Sequence, residues 1–415
     1  MSMTSRADIP NIPDSDGYEP IPGNDAGSPS LGFRTRLSFT WVGLAMLLCW
    51  NVFLASSYSN VYDDPIADAP RVKTYITSTF TAVNLFTILS LNYLPVKASY
   101  YNRVFVPLSI LTIVFGLLFA ALKLAGSMMR NTYFTAVIVT ASLIAGVCTG
   151  FIQNGVFAGL AMELPEAGAY LMIGQGIAGV LPAVAEMVFL FLSSHGTLDS
   201  TSMYFGFACL TSLFGVLAFI NIGRTFPFIR QSVSAPGLSD AQTRTKAALV
   251  QLPYSAFAIV CTFAVTLSLF PAFTSSIAPA SGSALTGGYF TALGFLIWNS
   301  GDVLGRTITL RVVDILSHET LAIASVMRIL FLPLFVSCNV RGKGAIFPSD
   351  MYFFMVMFLF GGTNGLVSTA SIVKSGQTVA ADLKEATGSL VSMLVCLGLL
   401  CGSLCSFAIT ALFST

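Results

Sequence analysis

Charge is what this chain has least of: 20 basic and 19 acidic side chains are spread over 415 residues. The balance leaves a net charge of +1, so there is no basic face to hold a polyanion, and nucleic acid is excluded as a partner. Histidine occurs only as His195 and His318, both in expected loops, which excludes a histidine-based metal site. The 8 cysteines all sit inside apolar runs and lack C-x-x-C spacing. They read as small packing residues rather than redox or metal ligands. No metal and no cofactor is expected. Adjacent acidic residues occur once, as Asp63-Asp64 beside Pro65 in a loop. The chain therefore lacks the clustered catalytic set that a membrane-embedded enzyme needs, and an enzyme is not expected.

What fills the space is apolar. Hydrophobic residues make up 55% of the chain, and mean hydropathy is +0.79. Several uninterrupted runs exceed the roughly 18 residues that mark a spanning helix. The expected fold is an all-α polytopic membrane protein, with the lipid bilayer as its surroundings. Eleven spans are predicted, at about 38–58, 74–95, 103–126, 132–160, 168–193, 202–222, 249–271, 287–312, 320–338, 350–373 and 386–413.

Residues 1–33 are polar and rich in Pro, Gly, Asp and Ser, the composition of a disordered cytosolic tail, and do not read as a signal peptide. Within them Tyr18-Glu19-Pro20-Ile21 has the form of an endosomal or vacuolar sorting signal. The longest connection, 224–248, is read as a cytosolic linker between a six-helix bundle (34–223) and a five-helix bundle (249–415). With the N-terminus inside, twelve Lys and Arg fall on the cytoplasmic side against six on the other. The bias toward positive charge inside selects that orientation.

Scarcity makes each intramembrane polar residue informative, because such groups are costly there and face a protein interior or a water-filled cavity. The span 287–312 carries Asn299, Asp302 and Arg306 in its second half. Asp302 and Arg306 stand four residues apart, on one helical face that Trp298 and Thr309 continue. A mutually neutralising pair that locks the helix to its neighbours fits this pattern. So does a cavity wall that grips an uncharged, hydroxyl-rich ligand, since Arg offers a fork of donors and Asp offers acceptors, which together suit a diol.

Other spans add to the list. Trp50, beside Asn51, lies in mid-span, away from the interfacial belt where tryptophan gathers; it packs a helix or offers a plate for a planar ring. Gln153 presents a donor and an acceptor, as a heterocyclic base does, or joins two helices. Gly174, Gly176 and Gly179 in GQGIAG allow close helix approach, and Pro182 follows to loosen the helix. Asn364 lies in a glycine-rich stretch that weakens its helix, a packing or gating feature. Arg328 is about eight residues into its span and is read as structural, able to snorkel to the cytoplasmic side. Glu186 lies deep in its span without a cationic neighbour in sequence. It is either a core carboxyl or a proton or cation site.

Taken together, these stretches resemble the equilibrative nucleoside transporter family. Trp50-Asn51 resembles the family's pair in the first helix, Gln153 the glutamine of the fourth, and Gly174 to Gly179 the GQG-x-AG run of the fifth. Phe270-Pro271-Ala272 is similar to the end of helix seven. Asn299, Asp302, Gly305 and Arg306 complete the asparagine–x–x–aspartate–x–x–glycine–arginine pattern of helix eight. Met327 to Pro333 with Cys338-Asn339 resembles the ninth helix, and Asn364-Gly365 the tenth. The match runs from about residue 37 onward, with short loops like those of the compact intracellular fungal members.

The resemblance implies an eleven-helix, 6+5 relative of the major facilitator fold around a central cavity. It implies facilitative, alternating-access transport of nucleosides, with nucleobases as further candidates. Trp50, Gln153, Asn299, Asp302 and Arg306 are then the substrate-binding set, with the ribose at Asp302/Arg306 and the base at Trp50/Gln153. A proton-linked nucleoside or organic-cation carrier is the alternative within transport; a helical scaffold or receptor is the alternative outside it. A monomer in a vacuolar or lysosomal-type membrane is favoured, with the plasma membrane as the alternative.

Overall fold

The computed structural model describes residues 31–56, 69–93, 98–125, 132–193, 200–231, 238–271, 273–280, 285 and 287–412, and every long element among them is helical. In chain order these are α1 (Phe33–Ser56), α2 (Ala69–Tyr93), α3 (Tyr100–Ala125), α4 (Thr132–Val156), α5 (Pro165–Ser193), α6 (Ser200–Thr225) and α7 (Leu238–Gln251). They continue as α8 (Pro253–Leu269), α9 (Gly287–Val312), α10 (His318–Met327), α11 (Phe331–Val336), α12 (Asp350–Thr378) and α13 (Lys384–Leu412). The motif Tyr18–Ile21 and Ala272 lie outside the described residues, as does all but the last three positions of the expected tail.

Among the described residues, nine stretches are long and apolar enough to cross a membrane, in α1, α3, α4, α5, α6, α8, α10 with α11, α12 and α13. A helix closes its own backbone hydrogen bonds, which is what a bilayer core demands. Helix α2 adds the shorter apolar segment Thr79–Asn92. Helix α9 is as long as these but carries Asn299, Asp302, Arg306 and Arg311. Outward faces are apolar, as with Ile113 and Leu117 of α3, Leu210 and Leu217 of α6, and Ile323 and Met327 of α10.

Local chemistry sets the ends. Ser317 and Ser349 cap α10 and α12, their hydroxyls accepting the N–H of Thr320 at 3.1 Å and of Tyr352 at 3.4 Å. Pro253 sits in the first turn of α8, where its missing N–H leaves no bond unmade. Helix α4 runs on into a π-helical turn, Phe157–Ala161. Helices α10 and α11 form one broken helix, joined by a 3₁₀ turn at Arg328–Leu330.

The stretch read as a linker is partly helical, holding a 3₁₀ turn at Pro227–Arg230 as well as most of α7, from Leu238 to Ala248. Helix α7 packs on α13 and α2, and Arg244 Nη2 donates to the carbonyl of Asp382 at 3.1 Å. Its sequence is mostly polar: Ala247, with Leu252 just beyond its end, packs on Val379 and Leu383, and Ala248 is buried in the main core. A stripe that narrow leaves little helical period to read.

In the first half of the chain α1 packs between α5 and α6, α3 against α6, and α2 against α4; in the second, α9 packs on α12 and α8 on α13 and α10. The halves meet where α5 packs on α9 and α12, and where the π turn and α2 pack on α13. The second seam is tight to the backbone, since a Cβ at Gly388 would collide with Phe157 and Ala158. It is also polar. Lys384 Nζ lies 3.4 Å from Glu163 Oε2, Asn154 Nδ2 donates to Ser389 Oγ at 3.2 Å, and Asn92 Nδ2 donates to the Ser389 carbonyl at 3.3 Å.

Candidate functional site

Helices α9 and α12 touch backbone to backbone because glycines face each other across the seam. A Cβ at Gly305 would strike the carbonyl of Gly362, and one at Gly365 would strike the carbonyl of Asp302. Small residues at such a crossing let the axes approach, and the approach brings Asp302 within reach of Asn364. Asp302 Oδ1 accepts from Asn364 Nδ2 at 2.6 Å, and its Oδ2 accepts from Arg306 Nε at 2.6 Å. The pair is deeply buried, Asp302 at 2% exposure and Arg306 at 4%. Arg306 Nη1 is buried with no hydrogen-bond partner among the described residues. That is a donor left over in a place where unmade bonds are expensive.

The network extends further. Asn364 Oδ1 accepts from Thr266 Oγ1 at 2.7 Å, and Thr266 Oγ1 accepts from Arg328 Nη2 at 2.7 Å. Arg328 also donates from Nη1 to Thr363 Oγ1 at 3.0 Å and to the Phe360 carbonyl at 3.3 Å. Its guanidinium sits 4.7 Å over the Phe360 ring. Snorkelling of Arg328 toward the membrane surface is thereby overturned: it is 2% exposed and points inward. It stands in the 3₁₀ break between α10 and α11, where hydroxyls of α8 and α12 take its protons. One turn before Asp302, Trp298 is stacked on Phe270 at 4.1 Å and 11°. Its Nε1 is also buried, with no hydrogen-bond partner among the described residues.

Helix α5 is a slat of small residues between α1 and α9. A Cβ at Gly174 would collide with the carbonyl of Thr40 in α1. Gly176 and Gly179 face the other way, where a Cβ would lie 3.0 Å from Arg306 Cδ at Gly176 and would collide with Asn299 Oδ1 at Gly179. Asn299 Nδ2 donates to its own helix, at the Phe295 carbonyl, at 2.8 Å. Asn51 Nδ2 donates to the Ala178 carbonyl at 2.8 Å, tying α1 to the same strip.

Trp50 and Gln153 lie in the first half. Trp50 is half-buried, its ring 4.9 Å from Phe80 of α2 and tilted by 45°. Gln153 is buried in α4, and its amide takes no hydrogen bond within the described residues. Helices α1 and α4 meet one position before Trp50 and one turn before Gln153, where Cys49 Sγ and Thr149 Oγ1 are 3.8 Å apart. No described contact joins Trp50 or Gln153 to Asp302 or Arg306; α5 packs on both α1 and α9. The side chain of Glu186 lies outside the described residues.

Sequence reasoning missed Thr266, Asn154 and Arg103. Asn154 Oδ1 accepts from Arg103 Nη1 at 3.2 Å, and Arg103 is buried. A threonine in an apolar helix looks in sequence like one that merely bonds its own turn, so Thr266 carried no signal. Arg328 and Asn364 were visible as polar residues in spans, but their partners were not.

A family model described as nucleoside transporter matches residues 136–234 and 230–411. The chain is similar to equilibrative nucleoside transporter 2 of Mus musculus, 26% identical over 91% of this chain and 96% of that protein. It is 25% identical to equilibrative nucleoside transporter 3 of Rattus norvegicus, over 89% of this chain and 87% of that one. Nucleoside transporter FUN26 of Saccharomyces cerevisiae is 32% identical over a shorter stretch, 38% of this chain and 32% of the relative.

Proposed function

Since the chain belongs to the nucleoside transporter family, we propose that it carries nucleosides across a membrane by facilitated diffusion, through alternating access. The ribose is held by Asp302 and Arg306, and the base by Trp50 and Gln153. The observation that carries this reading is Arg306 Nη1, a buried donor without a partner beside a carboxylate whose oxygens each keep a further lone pair. A ribose diol fits both: its oxygens accept from Arg306, and its hydroxyls donate to Asp302. Gln153, buried with its amide unengaged, matches the donor and acceptor edge of a base, and Trp50 supplies a ring to stack on.

The nine apolar spans with α2 and α9 make eleven crossings, six before α7 and five after it, in the manner of a major facilitator bundle. The bonds from Asp302 through Asn364 and Thr266 to Arg328 tie α8, α9, α12 and the α10–α11 break into one body. That body rocks against the first half along the α5–α9 seam. The contacts at Glu163–Lys384 and Asn154–Ser389 close one end of the bundle, and the charge bias makes that end cytosolic, with the N-terminus inside. The short loops support an intracellular, vacuolar-type membrane.

An organic-cation carrier needs surplus negative charge at its site. The buried charges among the described residues are Arg103, Asp302, Arg306 and Arg328, a surplus of positive charge, which disfavours a cationic substrate. Uptake of labelled uridine by proteoliposomes of the pure protein, with nucleosides and free bases as competitors, tests the function. Saturable uptake blocked by nucleosides is expected; absence of saturable flux would leave a scaffold or receptor.

A further inference from the structure

We infer that Arg328 is a positioning residue for the substrate site, acting on Asp302 through Thr266 and Asn364. This rests on the reading of Asp302 and Arg306 as the ribose contact. The chain of bonds begins at a group that only donates, the Arg328 guanidinium, and ends at a group that only accepts, the ionised Asp302 carboxylate. The two links between them are each able to donate and to accept. Thr266 Oγ1 accepts a hydrogen bond from Arg328 Nη2 at 2.7 Å and donates its own to Asn364 Oδ1 at 2.7 Å. Asn364 then turns its amide N–H to Asp302 Oδ1 at 2.6 Å.

Only one direction satisfies all the groups. Reversing Asn364 would set its carbonyl oxygen against a carboxylate oxygen, an acceptor against an acceptor. The Thr262 carbonyl, 2.8 Å from the Thr266 hydroxyl, competes for that proton. Arg328 fills a lone pair of Thr266, and of the two acceptors within reach of the hydroxyl proton only Asn364 passes the chain on to Asp302.

The consequence reaches the substrate. With Oδ1 held by Asn364 and Oδ2 by Arg306 Nε, the Asp302 carboxylate is fixed in plane. The guanidinium of Arg306 is then fixed in turn, with Nη1 left free. The charged and titratable groups facing position 364 are Asp302 and Arg306 from α9 and Arg328 from the 3₁₀ turn. Cys261 of α8 lies near enough to Arg328 to interact with its charge.

The test replaces the one link that can be made to titrate. In Asn364→Asp, two carboxylates face each other and must share a proton to keep the bond. Uridine influx into proteoliposomes is measured from pH 5.5 to 8 for the parent and for this variant. The parent is expected to vary little, whereas Asn364→Asp should transport at acid pH and fall about tenfold as the shared proton is lost. Superimposable profiles would overturn the inference.

Thr266→Val and Thr266→Ser make the second arm, which does not depend on the folding of Asn364→Asp. The hydroxyl-free variant should raise the KM for uridine about tenfold while Thr266→Ser keeps the parental KM. Equal KM values for the two would again overturn it. Arg306→Lys separates the two readings. A parental KM in Arg306→Lys, beside a titrating Asn364→Asp, removes the ribose contact and leaves the chain of bonds standing. A raised KM in Arg306→Lys with a flat Asn364→Asp profile does the reverse.

Discussion

The two walls assigned to the substrate handle polarity in opposite ways. On the α9–α12 side, polar groups saturate one another, and a run of hydrogen bonds from Arg306 to Arg328 leaves single donors over. On the α1–α4 side an aromatic ring and an unengaged amide stand among apolar neighbours. A saturated network is rigid and specific about geometry, since each member is held by the next. A lone glutamine is adaptable, because its amide can serve a donor or an acceptor on the ligand. The contrast suits a substrate with one constant part, the ribose, and one variable part, the base.

The largest effect expected from breaking this contrast is on folding. Asp302→Ala would leave Arg306 and Arg328 buried with no anion between them. Breaking a buried pair in this way costs about 3–5 kcal/mol, so the variant should lose most of its inserted, monodisperse protein on detergent size exclusion. Normal yield and melting would show that water or lipid reaches the network.

Arg306→Lys is milder and more informative. It keeps the charge but removes the planar fork, so the protein should fold, with affinity for uridine weakened about 10- to 150-fold, the loss of one charged hydrogen bond of about 1.5–3 kcal/mol. Unchanged KM in correctly inserted protein would move the ribose elsewhere. Gln153→Ala removes neutral hydrogen bonds worth about 0.5–1.5 kcal/mol, a change of about 2- to 13-fold. It should reorder purine and pyrimidine nucleosides; a uniform loss would make Gln153 a packing residue.

Much of this layout was legible because period and scarcity are strong signals. The span 287–312 coincides with α9, and each other predicted span overlaps a helix, since an apolar run has no other way to hide its backbone. Arg328 shows where legibility ends. An arginine eight residues into an apolar run reads as interfacial. What turns it inward is a 3₁₀ break and hydroxyls 62 and 35 residues away, at Thr266 and Thr363. Gly176 and Gly179 announced a close approach but not its partner, which is α9.

The smallest effect concerns Glu186. The sequence places this carboxyl deep in an apolar span with no cationic neighbour along the chain. If it couples transport to protons, uridine flux in the parent should change with pH between acid and neutral, and Glu186→Gln should abolish that slope. Curves of equal slope would make the carrier a simple equilibrator.

The division of labour between the walls is tested most directly by one matrix of inhibition constants. Uridine uptake into proteoliposomes is competed by two sets of ligands, one varying only in the ribose hydroxyls and one varying only in the base. Each set is run against the parent, Arg306→Lys and Gln153→Ala. Arg306→Lys should flatten the preference for ribose over its deoxy forms while leaving the order of bases intact. Gln153→Ala should do the converse. If both variants disturb the same set, the two ends of the substrate are not held by opposite walls, and the assignment of Asp302 and Arg306 to the ribose is wrong.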